Sequence, residues 1–345
     1  DYVRLNRKAS LLKLQKKGFI YRNKSTTCPP GMVDSLCSKS VNTPMDGKPT
    51  QDVTIDSLWT VLDLPGLPLK NSLNKCWFHA GLYLLSAVPP LRALCTPQPK
   101  QVKNFENSFL CAVYAIFQSR RPMDVSSFFH LVRDFTGINN RYGQVAVPDF
   151  IEYLCTHSPR LSSVVSFTFS SKVTCSKCSW VSETLCRDMS LKLHIPPKSN
   201  SISLQELVEF NSTSNLTGDN AVYCGTCKTK TSQKVSRSYN PDLCLVEVIR
   251  VTRSSGDIWG KSHASLSFSL KDLRLPGFDR GYRVVGTCHH RGTLNSGHWI
   301  TKICTINGWF ELDDLKGNSF PTNPPGTNDD SVTLILIIAE DKLRS

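Results

Sequence analysis

The chain has 345 residues, 40% of them hydrophobic, which is enough for one large core or two ordinary ones and excludes disorder throughout. No run approaches the roughly 20 consecutive apolar residues that span a bilayer, and no apolar stretch near the start reads as a signal peptide. The net charge is +13, and +7 of it falls between Asp1 and Lys24, where eight Lys/Arg accompany one Asp; this reads as a solvated basic arm, with nucleic acid, an acidic partner or an import receptor as its other possible uses.

The first residue is Asp1 rather than Met, which predicts a piece of a longer protein. Residues 25–55, rich in Ser, Thr, Pro and Asp, read as a linker, so arm and linker together occupy 1–57 and a folded domain occupies 58–340. Phe78, Leu82, Leu85 and Val88 recur at helical spacing until Pro89-Pro90, which predicts a helix beginning at Cys76. Two further helical patterns run Phe105 to Phe117 and Val125 to Phe135, and another starts after Pro148 with Phe150, Ile151 and Leu154. Beyond Ser163 the texture becomes strand-like: Val164 to Phe169, Leu191 to Ile195, Leu243 to Val251, Leu266 to Leu270, Tyr282 to Gly286, Trp299 to Ile303 and Val332 to Ile338. Helices first and strands afterwards predict an α+β fold.

Fourteen cysteines spread over this length suit a reducing compartment better than a disulfide scaffold, and Asn23, Asn211 and Asn215 sit in N-x-S/T triplets of the kind chance supplies. Four of the cysteines form two CxxC pairs, Cys175/Cys178 and Cys224/Cys227, each beside a strand-like segment. Two such knuckles supply four thiolates, the set that fills a tetrahedral Zn²⁺ site and leaves no position open, so a metal there is structural; four reduced buried thiols are the alternative.

A cysteine is a nucleophile as thiolate, and a helix N-terminus with a nearby imidazole lowers its pKa, which makes Cys76 a candidate although a cysteine opening a buried helix is more often inert. Far downstream, Gly297-His298-Trp299 opens a strand after a glycine-punctuated loop and makes His298 an accessible imidazole. Trp309-Phe310-Glu311-Leu312-Asp313-Asp314 then offers a carboxylate on a neighbouring strand end, able to accept the Nδ1–H of the imidazole.

Gly66 to Leu85, GLPLKNSLNKCWFHAGLYLL, resembles the cysteine box of ubiquitin-specific proteases, and YRVVGTCHHRGTLNSGHW from Tyr282 resembles their histidine box. The resemblance runs from about Leu58 to Ala339 and implies a papain-like α+β domain: a thumb over 58–163, fingers and part of the palm with a zinc ribbon over 164–270, and the rest of the palm over 271–340. It further implies Cys76 as nucleophile, His298 as base, Asp313 as third triad member with Asp314 secondary, and Asn71 as a donor to the oxyanion, a role worth roughly 3 kcal/mol of barrier; Asn74 also matches the box. Trp77, Ala146, Asp149, His290, Gly297 and Trp299 become candidates for a narrow channel that admits the Gly-Gly end of a modifier, although aromatics there could equally be core.

Cys76-Trp77 and Asp313-Asp314-Leu315-Lys316-Gly317 look closer to the divergent branch that processes SUMO. Leu73, His79 and Tyr83 depart from the Gly, Asn and Gln of the family box, and Ala146 stands where the family's DAQEF helix motif begins with an acid that pairs with an arginine in the ubiquitin tail. Breaking such a pair on one side is costly, whereas the SUMO tail carries neutral glutamines. The sequence therefore predicts a monomeric SUMO isopeptidase in the nucleus. The alternatives are a deubiquitinase whose tail partner is Asp149 or Glu152, an inactive modifier-binding scaffold, and a zinc-ribbon nucleic-acid binder, which leaves both boxes unexplained.

Overall fold

Eleven residues from Cys76 to Ser86 form a helix, α1, in which every side chain is buried. A helix apolar on all sides has to run through the middle of a domain, and the rest of the fold is arranged around it. The computed structural model describes Leu69, residues 75–88, Val113, Val125, Phe129 and residues 145–165, 167–240, 246–253, 260–278, 280–293, 296–316 and 319–340. The predicted arm and linker, Asn71, and most of the helical patterns at Phe105 to Phe117 and Val125 to Phe135 lie outside these.

Two short helices follow α1. Helix α2 spans Val147–His157 with Ala146 as its N-cap and a proline in its first turn, where a missing N–H costs nothing. Helix α3 spans Pro159–Val165. It corrects one expectation: Val164 and Val165 end a helix rather than begin a strand, an ambiguity that short apolar runs carry by nature. Helices α1 and α2 approach closely at Gly81, where an added Cβ would lie 2.5 Å from Phe150 Cδ1.

The strands come next. β1 (Phe167–Cys175) and β2 (Val181–Asp188) form a long hairpin, followed by β3 (Leu191–His194), β4 (Ser201–Ser203), helix α4 (Leu204–Ser212), β5 (Thr213–Leu216), β6 (Val222–Cys224), β7 (Thr229–Thr231) and β8 (Gln233–Asn240). The later strands are β9 (Glu247–Thr252), β10 (Ser265–Ser267), β11 (Leu273–Arg274), β12 (Gly281–Gly292), β13 (Gly297–Thr305), β14 (Gly308–Leu312), β15 (Ser319–Pro321) and β16 (Val332–Ala339). Strands outnumber helices among the described residues. Helix α4 was not expected, yet Ser203 and Glu206 form a reciprocal capping box at its start, a signal present in the sequence.

The large sheet runs β15-β14-β13-β12-β16-β9-β3, with β11 paired to β12; only β3 and β9 are parallel within it. Both faces are covered. On β16, Leu334, Leu336 and Ile338 enter the core shared with α1 and α2, whereas Ile335 and Ile337 enter a second core with Leu204, Leu207 and Val208 of α4. On β9, Val248 faces the first core and Ile249 and Val251 the second. A strand covered on both faces reads as an unbroken apolar run, which is why Val332 to Ile338 and the end of Leu243 to Val251 were legible. A separate sheet, β2-β1-β8-β5, carries the β6-β7 hairpin beyond it.

Candidate active site

Cys76 opens α1 and is nearly buried, at 4% exposure. Its N-cap, Lys75, supplies no side-chain cap, and the dipole of the helix puts a partial positive charge beside the thiol. The helix is fastened to the sheet by Thr301 of β13, whose hydroxyl donates to the Ala80 carbonyl at 2.8 Å. Three residues back along that strand stands His298.

The β12–β13 hairpin sets the register that places His298, with Arg291 opposite His298 and Gly292 opposite Gly297. Gly297 is glycine for want of space: an added Cβ would collide with the Arg291 carbonyl and lie 2.5 Å from His290 Nε2. Strand β14 pairs with β13 and delivers Asp313 just past its end, where the carboxylate accepts from His298 Nε2 at 2.8 Å and from the Leu315 amide at 3.0 Å. The carboxylate therefore takes Nε2–H, not the Nδ1–H expected from sequence. That leaves Nδ1 as the ring nitrogen available to Cys76, whose interaction is the largest cause of the raised His298 pKa.

The bond to Cys76, followed by that to Asp313, raises His298 to about 9 against the opposing effect of burial. His290, on the neighbouring strand, is pushed down to about 4 by burial, then by Lys261 and His298. At neutral pH one imidazole of the site is thus charged and the other is not, the separation that lets two like groups serve different roles. His290 lies against Trp299 with ring centroids 4.5 Å apart.

His290 and Trp299 line a cavity of about 290 Å³ together with Ala146, Arg250, Arg253 and Lys261. Three of the expected channel residues are brought together there, and Gly297 backs it through His290. Asp149 is turned to an ion pair with Arg250 at 2.6 Å, and Glu152 reaches the same guanidinium at 3.3 Å. Trp77 is a correction: it is 2% exposed and meets Phe78, Phe129 and Phe150 edge-on, so it belongs to the core and not to a channel wall. A helix residue directly after Cys76 points away from the face that Cys76 presents.

Asp314 was expected as a secondary partner of His298, and its Oδ1 lies 3.7 Å from Nε2. Its main contact was not expected. His79, fully buried one turn after Cys76, donates Nδ1–H to Asp314 Oδ2 at 2.7 Å. The clue in the sequence was spacing, since residues i and i+3 share a helix face.

Away from this site, the four cysteines of the two CxxC pairs converge. Cys175–Cys227 and Cys178–Cys224 Sγ distances are 3.9 and 3.7 Å, and all four Sγ lie within 4.8 Å of one another. Four sulfurs about 2.3 Å from a tetrahedral zinc would be spaced by about 3.8 Å. The two turns are alike: Ser179 and Lys228, each just after the second cysteine, have φ of 57° and 54°, and each amide donates to the carbonyl of the first cysteine at 2.9 Å. The donor set and its spacing fit Zn²⁺, and these distances are too long for disulfides.

A thiol, an imidazole and a carboxylate joined in this order on a helix end and two strand ends define a cysteine hydrolase type of centre. The family model of ubiquitin carboxyl-terminal hydrolases matches residues 67–329, and the chain belongs to that family. It is 26% identical over 289 residues to ubiquitin carboxyl-terminal hydrolase 17-like protein A of Mus musculus, covering 75% of this chain and 54% of the relative. It is 29% identical over 297 residues to ubiquitin carboxyl-terminal hydrolase 17 of Arabidopsis thaliana, covering 75% and 40%. To the probable ubiquitin carboxyl-terminal hydrolase 4 of Schizosaccharomyces pombe it is 26% identical over 212 residues, covering 57% and 32%. The chain spans about half the length of the mouse relative, or less of the others. Nothing in these likenesses supports placing it in a SUMO-processing branch.

Proposed function

We propose that this domain is a deubiquitinase-type cysteine isopeptidase. The observation that carries the reading is the chain of contacts from Cys76 to His298 to Asp313, with His298 held protonated up to about 9. Cys76 thiolate attacks the carbonyl of the modifier's last glycine. The imidazolium of His298 gives its proton to the leaving lysine amine as the C–N bond breaks, leaving a thioester. Neutral His298 then takes a proton from water, which attacks the thioester and frees the glycine carboxylate, and the proton returns to the thiolate–imidazole pair. The oxyanion is held by the first backbone N–H groups of α1 and by Asn71.

Ubiquitin is the first choice of modifier because the relatives named above are called ubiquitin carboxyl-terminal hydrolases. One observation favours SUMO as a second reading. Ala146 offers no charge to a tail arginine, the other acids nearby, Asp149 and Glu152, are occupied by Arg250, and the described cavity lining holds cations but no carboxylate. The four-cysteine cluster holds a structural Zn²⁺ in this reading, and the charge of the arm at 1–24 suggests nuclear import.

Ubiquitin and SUMO probes with electrophilic C-termini, with Cys76→Ala as control, separate the readings. Capture of the ubiquitin probe is expected. Capture of SUMO alone moves the assignment to the second reading, and capture of neither removes both.

A further inference from the structure

Behind the triad lies an arrangement that the mechanism above does not use. Two adjacent carboxylates, Asp313 and Asp314, stand 5% and 1% exposed beside one catalytic imidazole. A buried pair of like charges needs compensation, and each acid finds its own imidazole: Asp313 takes His298 and Asp314 takes His79. Asp314 is left with one buried oxygen, Oδ1, that has no hydrogen-bond partner among the described residues, and that oxygen is the one 3.7 Å from His298 Nε2. It is a spare acceptor aimed at the proton Asp313 now receives. Buried oxygens are rarely left unmet without a reason.

We propose that His79 is a positioning residue of the catalytic centre: by donating to Asp314 Oδ2 it clamps a second carboxylate beside His298, so that the imidazole can pass its Nε2–H from Asp313 to Asp314 without leaving Cys76. The shift is within reach of a small rotation of the ring, since the two acceptor oxygens lie 2.8 and 3.7 Å from the same nitrogen. The groups that face this cluster are Cys76 and Tyr83 from α1, His298 from β13, and Lys316, whose Nζ is 3.8 Å from Asp313; Tyr83 is raised by burial and by both acids. His79 Nε2 has no partner among the described residues, so the anchoring of His79 rests on the single bond to Asp314.

The inference rests on the reading of Cys76 and His298 as a reactive pair, and its test does not depend on the modifier. The rate of Cys76 alkylation by iodoacetamide, followed across pH by peptide mass spectrometry, reports the thiolate–imidazolium pair directly. His79→Leu, Asp313→Asn and their combination form a double-mutant cycle, with circular dichroism to confirm folding. His79→Leu alone should slow alkylation at neutral pH by about threefold, but by about tenfold or more in the Asp313→Asn background, where Asp314 is the remaining acceptor. His79→Asn, whose amide can donate in place of Nδ1–H, should recover most of the loss in that background and keeps the test open if the leucine variant does not fold. Equal factors in both backgrounds would reduce His79 to packing and overturn the inference. Ordinary thiol reactivity of Cys76 in the unaltered protein would instead remove the reading on which it rests.

Discussion

Two of the chain's buried cysteines stand in contrasting surroundings. Cys76 and Cys175 are equally hidden, at 4% and 1% exposure, so burial does not distinguish them. Their neighbours do. Cys76 has one imidazole and a helix end beside it, the setting the proposed mechanism uses; Cys175 has three other sulfurs at metal-binding spacing, the setting of a structural metal ligand. A third, Cys288, has neither, and complete burial pushes its thiol well above the ordinary range.

Cys76→Ala should lower turnover of a fluorogenic modifier substrate by about 10⁴-fold or more while hardly moving the melting temperature; a comparable loss of stability would mean that Cys76 is structural. Asp313→Asn should lower turnover by about 10²–10⁴-fold. Because His298 is charged below about 9 and loses that charge above it, the unaltered protein should lose activity as pH rises through about 9, and the Asp313 variant should lose it at lower pH. A pH–rate series on both proteins checks the sign.

At the other cysteine site the losses should be structural. Cys178→Ala, or a strong chelator, should remove about one zinc per chain by metal analysis, lower the melting temperature, and raise KM more than it lowers kcat. Iodoacetamide should still label Cys76 in that variant. The smallest effect contrasts two buried acids. Glu247 accepts from the Tyr282 hydroxyl at 3.1 Å, where Asp313 has an imidazole, and burial raises it to about 7 against the opposing effects of Tyr282 and Arg280. With its folded pKa above the unfolded value, it stabilises most at low pH and the benefit is lost as pH rises towards 7; Glu247→Gln should flatten that slope and raise the melting temperature at pH 8 by a few degrees.

Much of the site could be read from the chain because its parts carry local marks. Cys76 stands at the start of an apolar helical pattern, and His298 follows a glycine at a strand start. Asp313 directly follows a strand. What could not be read are matters of tertiary placement: which ring nitrogen meets the acid, that Trp77 turns into the core, and that His79 finds Asp314 across 235 positions. Strand β2 and all but the first residues of β1, which the run Val164 to Phe169 reaches, were illegible for another reason. Strand β2 lies at the edge of its sheet and is mostly exposed, with Leu185 70% exposed, so it gives no apolar signal. The capping box at Ser203 was legible and was missed.

The position of β16 bears on when the domain becomes competent. This strand, buried on both faces, lies between β12 and β9, and it is made after Cys76, His298 and Asp313. A ribosome that has delivered all three reacting residues has not yet delivered the strand against which the histidine hairpin is aligned. On the proposed mechanism, the order of synthesis keeps Cys76 and His298 from being fixed together until β16 has been made.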